Sequence, residues 1–204
     1  MSRRLPRSDG GLLIGEVPRP APPRARTARA AEIVATARHI LEQEGPSALT
    51  MRRIADEVGM QAPSLYKHFS SKSTVEMALI EDALFEFGEV SHRALHGSQS
   101  ATPIGDLLAV YRHYCLGHSN LYRLCTSGYL DRSALPPGLE EWAGNPWFVV
   151  TGDSSVAQAL WSFAHGMLIL EMDERYPPGS DLDLTWQAGA DAFELNVRQR
   201  RDGR

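Results

Sequence analysis

The chain has 204 residues, 43% of them hydrophobic, which is enough for one or two small packed units and too little for a large enzyme. Its net charge of −4 argues against a nucleic-acid binder, but residues 1–73 hold 12 Lys/Arg and 7 Asp/Glu, a net of +5, and the remainder holds 9 and 18, a net of −9. That asymmetry is expected of a basic, nucleic-acid-facing part joined to an acidic body.

Residues 1–27 are rich in Pro, Arg and Gly and cannot bury enough apolar surface to order themselves, so a disordered basic tail is expected there. Arg24, Arg26 and Arg29 carry an alternative reading, an arm that reaches phosphates or a minor groove. Leu12-Leu13-Ile14 is too short for the apolar stretch of a signal peptide, and no run approaches a membrane span. A cytoplasmic chain that does not touch a membrane is expected.

A helix is expected over 28–44, with Ile33, Val34, Ala37, Ile40 and Leu41 as its buried stripe and Gly45-Pro46 as its end. Two shorter helices follow. Thr50 stands where an N-cap belongs, and Ile54, Ala55 and Val58 share one face. Gly59 allows the chain to stop and turn, and Pro63 suits the first turn of the next helix, where no N–H is required. Short helix, tight turn and short helix make a helix-turn-helix, whose second helix enters the DNA major groove by its N-terminal part. Arg53 can pair with Asp56 or Glu57 at helical spacing, and Phe69 reads as a core residue.

These residues resemble the TetR family of transcriptional regulators. The resemblance runs through Ile33, Ala37, Leu41 and Gly45, then Ala48-Leu49-Thr50, Arg52, Ile54-Ala55, Val58-Gly59, the run from Ala62 to Phe69, and Lys72. It implies that Arg52, Gln61, Ala62, Pro63 and Ser64 face base edges. Gln pairs bidentately with adenine, Arg with guanine, and an Ala or Pro carbon touches a thymine methyl. It also implies that Thr50, Tyr66, Lys67, His68 and Lys72 hold the DNA backbone, with Lys72 near a helix start whose N–H groups favour a phosphate. The DNA-binding unit is expected over 28–73 and a helical regulatory and dimerisation unit over 74–204, joined by a helix from 71 to about 95.

That joining helix has Val75, Leu79, Ala83, Leu84 and Phe87 on its inner face. Gly97 to Thr102 reads as a polar linker. Pro103 opens a helix carrying Leu107, Leu108, Tyr111 and Cys115, and a short one starts at His118. Residues 127–152, with Gly128, Pro136-Pro137-Gly138, Gly144, Pro146 and Gly152, read as loops with at most a short helix around Leu139–Trp142. Asp153 or Ser154 caps the next helix, which runs to about Glu174 and is apolar nearly all round; Pro177-Pro178-Gly179 ends it. The last helix, about 181–199, has two stripes. Leu184, Ala188, Ala192 and Leu195 form one, and Trp186, Ala190, Phe193 and Val197 the other. One faces the core, and the other is best covered by a second copy of the chain. Trp186, Phe193 and Val197 are the first choice for that dimer surface, although the stripes are interchangeable. No segment has the period of a strand, so an all-α fold is expected.

The segment from Trp161 through His165-Gly166 to Glu171 is similar to the Trp-His-Gly signature of one C-terminal subclass of the family, and His118 to Leu124 fits the same pattern loosely. His165 reads either as a core histidine with a buried partner or as a polar anchor in a ligand pocket lined by Tyr111, Trp147 and Trp161. Cys115 and Cys125 read as small core residues, and no metal or cofactor site is expected. No catalytic constellation stands out, so the chain is not expected to be an enzyme. The resemblance implies a homodimer on a two-fold double-stranded DNA operator, usually repressing, and released by a small-molecule effector that prefers the non-operator conformation. Two alternatives remain. A similar regulator could work without a small-molecule ligand, for which a pocket filled by side chains would speak. A small helical enzyme would need a polar triad that the sequence lacks.

Overall fold

The computed structural model describes residues 17–23, 25–96 and 100–203. Residues 1–16 and Arg24 of the expected tail, and 97–99 of the expected linker, lie outside the described residues. The fold is all-α, with no strand among the described residues. Helix α1 spans Ala28–Glu44, α2 Met51–Val58, α3 Ala62–Leu65, α4 Lys72–Leu95, α5 Pro103–Gly117, α6 Ser119–Thr126, α7 Leu139–Thr151, α8 Ser154–Met172 and α9 Leu182–Asp202, with a 3₁₀ turn at Arg132–Ala134.

Two hydrophobic cores organise these helices. The first gathers Ile33, Ile40 and Leu41 of α1, Ile54 of α2, Leu65 of α3, Val75 and Leu79 of α4, and Leu121 from α6. The second gathers Leu107 and Tyr111 of α5, Trp147 of α7, Leu160 and Leu168 of α8, and Trp186 and Val197 of α9. Each fully buried Leu or Ile contributes about 1.5–3 kcal/mol relative to its exposed state. Helix α4 serves both: Val75, Ala78, Leu79 and Ala83 sit in the first core, and Phe87 and Leu95 pack on the second.

The tail is not free throughout. Residues 17–23 and 25–27 form no helix, yet Val17 packs beside Leu139 and Trp142, and Arg26 Nη1 donates to both Asp82 carboxylate oxygens at 2.8 and 2.6 Å. Arg29 donates to Glu32 Oε2 at 2.6 Å and to Val58 O at 3.1 Å. In this structure both arginines are therefore engaged by the protein itself.

Residues 139–151, expected mostly as loop, form the 13-residue helix α7, with Pro146 in its interior. An interior proline withdraws the N–H that its helix would offer to the carbonyl four residues earlier, here that of Trp142. His92 of α4 supplies a donor instead, its Nε2 lying 2.9 Å from Trp142 O. The same imidazole stacks on the Trp142 indole at 4.9 Å, with 17° between the planes. The indole lies over Gly88, where an added Cβ would stand 2.2 Å from the ring. The breaker residues that read as loop are thus absorbed by α4. Local propensity loses to tertiary packing.

The stripes of α9 take the second of their two possible arrangements. Trp186 and Val197, expected on the dimer surface, are 6% and 3% exposed within one chain, and Phe193 packs on Phe163 of α8 at 5.7 Å. Gly189 allows this close approach, since a Cβ there would lie 2.0 Å from the Phe163 ring. Leu184 and Leu195 face outward, 67% and 57% exposed, with Ala188 and Ala192 on the same side. Glu194 decides the orientation. It is buried on the inner stripe, and its Oε1 accepts the Ile104 N–H at 2.8 Å, satisfying an orphan donor at the start of α5, where Thr102 makes no side-chain cap.

His92→Ala should lower unfolding free energy by about 1–3 kcal/mol, because it leaves the buried Trp142 carbonyl short of a partner. The same substitution made in a Pro146→Ala background should cost less, because residue 146 then carries an N–H for that carbonyl. Urea unfolding of the four proteins reads the difference. Equal costs in both backgrounds would show that the His92 hydrogen bond does not compensate for the proline.

Candidate nucleic-acid interface

The helix-turn-helix is set by local rules. Thr50 has an extended backbone, and its hydroxyl accepts the Arg53 N–H at 3.1 Å, capping α2. Gly59 ends α2 in the left-handed region at φ +70°, where a side chain would be strained. The Met60 N–H returns to Ala55 O at 2.9 Å, closing the helix in the Schellman manner. Gln61 precedes α3 with an extended backbone, and Pro63 lies in its first turn. The regular part of α3 is only four residues, but Phe69 N–H to Leu65 O at 3.0 Å and His68 N–H to Leu65 O at 2.9 Å continue its turns.

Burial then decides which side chains project. Leu49, Ile54 and Leu65 are fully buried and Ala55 nearly so, while Val58 and Phe69 pack on the same core. The opposite surface presents Arg52, with its side chain 91% exposed, together with Gln61, Pro63, Lys67 and His68. Ala62 and Ser64 are half-buried between them. Tyr66 is 50% exposed, although its ring would gain from burial. His68 is exposed.

The cations on this unit divide into committed and available ones. Arg53 binds Glu44 at 2.7 Å and Glu57 at 2.6 Å, and those hydrogen bonds hold its guanidinium charged. Glu57 is held below the usual carboxylate range by the same contact. Arg52 approaches Asp56 only to 3.9 Å. Lys72 begins α4, 3.3 Å from Glu76 and 3.4 Å from Pro46 O. Ser71 caps α4 with a reciprocal Ser71–Thr74 capping box, which fixes the helix start beside Lys72. Sequence reasoning missed the anchor at the far end of α2: Arg29, on α1, donates to Val58 O beside the Gly59 turn. Its spacing from that carbonyl carries no local signal.

In the body, Tyr111 and Trp147, expected to line a pocket, are packed into the core, while Trp161 lies at the surface. Tyr111 and Trp147 are buried and meet edge to face at 5.2 Å. The Tyr111 hydroxyl lies 2.5 Å from that of Tyr122, and the Tyr122 hydroxyl 2.6 Å from His165 Nδ1. Burial pushes the His165 pKa down, favouring neutral imidazole, and pushes both phenols up. The consistent arrangement has Tyr111 O–H donating to Tyr122 and Tyr122 O–H donating to Nδ1. Trp161, 45% exposed, stacks on the outer side of His165 at 5.8 Å. His165 therefore has the buried partner that its position demanded, and Tyr122 is the residue the ligand set omitted. A groove of about 280 Å³ lies elsewhere, between α8 and α9, and is lined by Val156, Ala159, Ala192, Phe193, Asn196 and Arg200, with Ser155 at its edge.

No helix among the described residues is long and apolar enough to cross a membrane. Residues 33–75 match the family described as bacterial regulatory proteins, tetR family, which is a family of regulators and not of enzymes. The tetracycline repressor protein class C of Escherichia coli is 40% identical over 106 residues, covering 52% of this chain and 43% of that protein. The matched part therefore spans less than half the length of that relative. A protein of unknown function from Rhodococcus sp. RHA1 has the same fold at a TM-score of 0.70 and 19% identity, covering 86% of this chain and 98% of that one. TetR from Acinetobacter baumannii AYE superposes at a TM-score of 0.58 and 18% identity, covering 83% and 96% of the two chains. Residues 33–75 are thus similar to that family's N-terminal domain, on a helix-turn-helix whose polar face is exposed on a buried frame, and the solved structures share the fold of the chain.

Proposed function

We propose that this protein is a homodimeric repressor that binds a two-fold operator through α3 and its flanks. The observation that carries the reading is the exposed set Arg52, Gln61, Pro63, Tyr66, Lys67 and His68 on one face of a unit whose other face is buried. Arg52, Gln61, Ala62, Pro63 and Ser64 read base edges, and Thr50, Tyr66, Lys67, His68 and Lys72 hold phosphates. The name of the Escherichia coli relative supports repression. A second copy covers the outward stripe of α9, Leu184, Ala188, Ala192 and Leu195, with α8 beside it, in a four-helix interface.

The effector is a small molecule that binds a conformation in which the Tyr111–Tyr122–His165 chain is opened, and so shifts the population away from the operator-binding form. A second reading, a regulator without a small-molecule effector, is favoured by the same chain, because side chains satisfy and fill that part of the core. Selection of operator DNA from a random pool tests DNA binding. A ligand screen for release of the selected DNA then separates the two readings.

Three outcomes are expected. Lys67→Ala should weaken binding to all duplexes about equally and reduce the salt slope by about one, because a phosphate contact acts through counterion release. A loss confined to the operator would contradict the assignment. Gln61→Ala should relax selection at one base pair per half-site, a loss of about 1–3 kcal/mol in discrimination, while non-specific binding persists. Unchanged base preference would remove Gln61 from the reading face. Leu195→Glu should give folded monomers with weak operator binding, whereas Phe193→Glu should destabilise the subunit itself. Sedimentation and circular dichroism read these two, and a dimeric Leu195→Glu protein would place the interface elsewhere.

A further inference from the structure

We propose that residues 17–23 and 25–27 form an intramolecular brace that positions the helix-turn-helix unit for operator binding. The proposal rests on the operator-binding reading above. Arg26 immediately precedes Thr27, the N-cap of α1. Its side chain is only 15% exposed. It makes two bonds to the Asp82 carboxylate, at 2.8 and 2.6 Å, and Nη2 donates to Ala78 O at 3.2 Å, with Glu81 at 4.0 Å. The start of α1 is thereby fastened to the middle of α4.

The segment then continues along α4 toward the body. Arg19 Nε donates to Glu89 Oε1 at 2.7 Å, and the guanidinium covers the Phe85 ring at 5.2 Å. Val17 packs on the cluster of Leu139, Trp142 and Ala143 of α7, against which Leu84 and Phe85 of α4 also pack. Pro18, Pro20, Pro22 and Pro23 lie between these anchors. Prolines restrict the unbound chain, so holding the segment in place costs less conformational entropy than it would for an ordinary sequence.

A swing of α1 to α3 relative to α4 and α7 must break these contacts. An exposed ion pair alone is worth little, but the partly buried, doubly bonded Arg26–Asp82 pair and the apolar seat of Val17 act together. By restricting the poses of the DNA-binding unit, the brace raises the fraction competent for operator, and apparent affinity scales with that fraction. The arginines act as positioning groups and make no phosphate contact.

The test uses the full chain and the operator recovered by selection, with binding followed by fluorescence anisotropy over a range of salt concentrations. Arg26→Glu should weaken operator binding roughly fivefold with an unchanged salt slope. Arg26→Glu combined with Asp82→Arg should restore affinity to near that of the unaltered protein. Arg19→Glu, alone and with Glu89→Arg, provides a second pair should the first single variant fail to fold. A slope shallower by about one per lost arginine, with no rescue by the exchange, would overturn the brace in favour of a phosphate-binding arm. So would equal affinity in all variants. Thermal unfolding without DNA gives a separate reading. Coupling within each pair supports the contact, and additive effects overturn it. If the unaltered protein selects no DNA, the operator reading fails by itself, and the unfolding data still report on the brace.

Discussion

Helix α4 belongs to two hydrophobic cores at once, and the rest of the molecule is arranged around that constraint. Its first half completes the core of the helix-turn-helix unit through Val75, Ala78 and Leu79; its second half is held by the body through Phe87, Leu95 and the Gly88–Trp142 contact. A close-packed interior does not deform continuously, so motion at one end of such a helix is transmitted to the other. Polar contacts reinforce the junction. Arg38 of α1 binds Glu86 of α4 through both oxygens, and Tyr114 of α5 donates to the same carboxylate at 3.0 Å. The Arg38 bonds hold the Glu86 carboxyl below its usual range against the opposing pull of burial.

Helix α6 is the second bridge. Leu121 lies in the first core, Tyr122 lies in the second, and Asn120 donates to Glu42 O of α1 at 3.2 Å. Glu42 Oε1 is buried without a hydrogen bond, and His118 Nδ1 stands 3.5 Å away at the start of α6. One short helix therefore touches the DNA-binding unit on one side and the Tyr111–Tyr122–His165 chain on the other. A ligand that displaced Tyr122 would move a residue next in sequence to Leu121. This adjacency gives a physical path for coupling without a long relay.

The body is fastened by a different network. Arg112 of α5 binds Glu171 of α8 at 2.7 Å and Asp183 of α9 at 2.6 Å, and Glu171 also accepts the Trp186 indole N–H at 2.9 Å. The partly buried carboxylate is thus satisfied by two donors, the condition under which a charge tolerates loss of water. The inward stripe of α9 is held by this network at its start and by Glu194 further on, leaving the Leu184–Leu195 side exposed among the described residues.

Much of the fold and of the exposed helix-turn-helix face was legible in the residue order, because their determinants are local. Thr50 and Asp153 cap the helices that follow them, Gly45 and Gly59 end helices at positive φ, and α1 spans the residues its periodicity marked. The exposed face of α2 and α3 follows from the same periodicity once Ile54 and Leu65 are known to be inside. The remainder depended on partners distant in sequence. Pro146 reads as a helix breaker until His92, 54 positions earlier, supplies its missing donor. The two stripes of α9 are equally apolar in isolation. The fit of Phe163 over Gly189, the Trp186 bond to Glu171 and the bond from Ile104 to Glu194 turn one inward. Arg26 admits the alternative reading of a DNA arm until Asp82 is brought beside it. Caps and periodicity act within one or two helical turns and are written in the sequence, whereas compensation between helices exists only once the tertiary structure has brought the partners together.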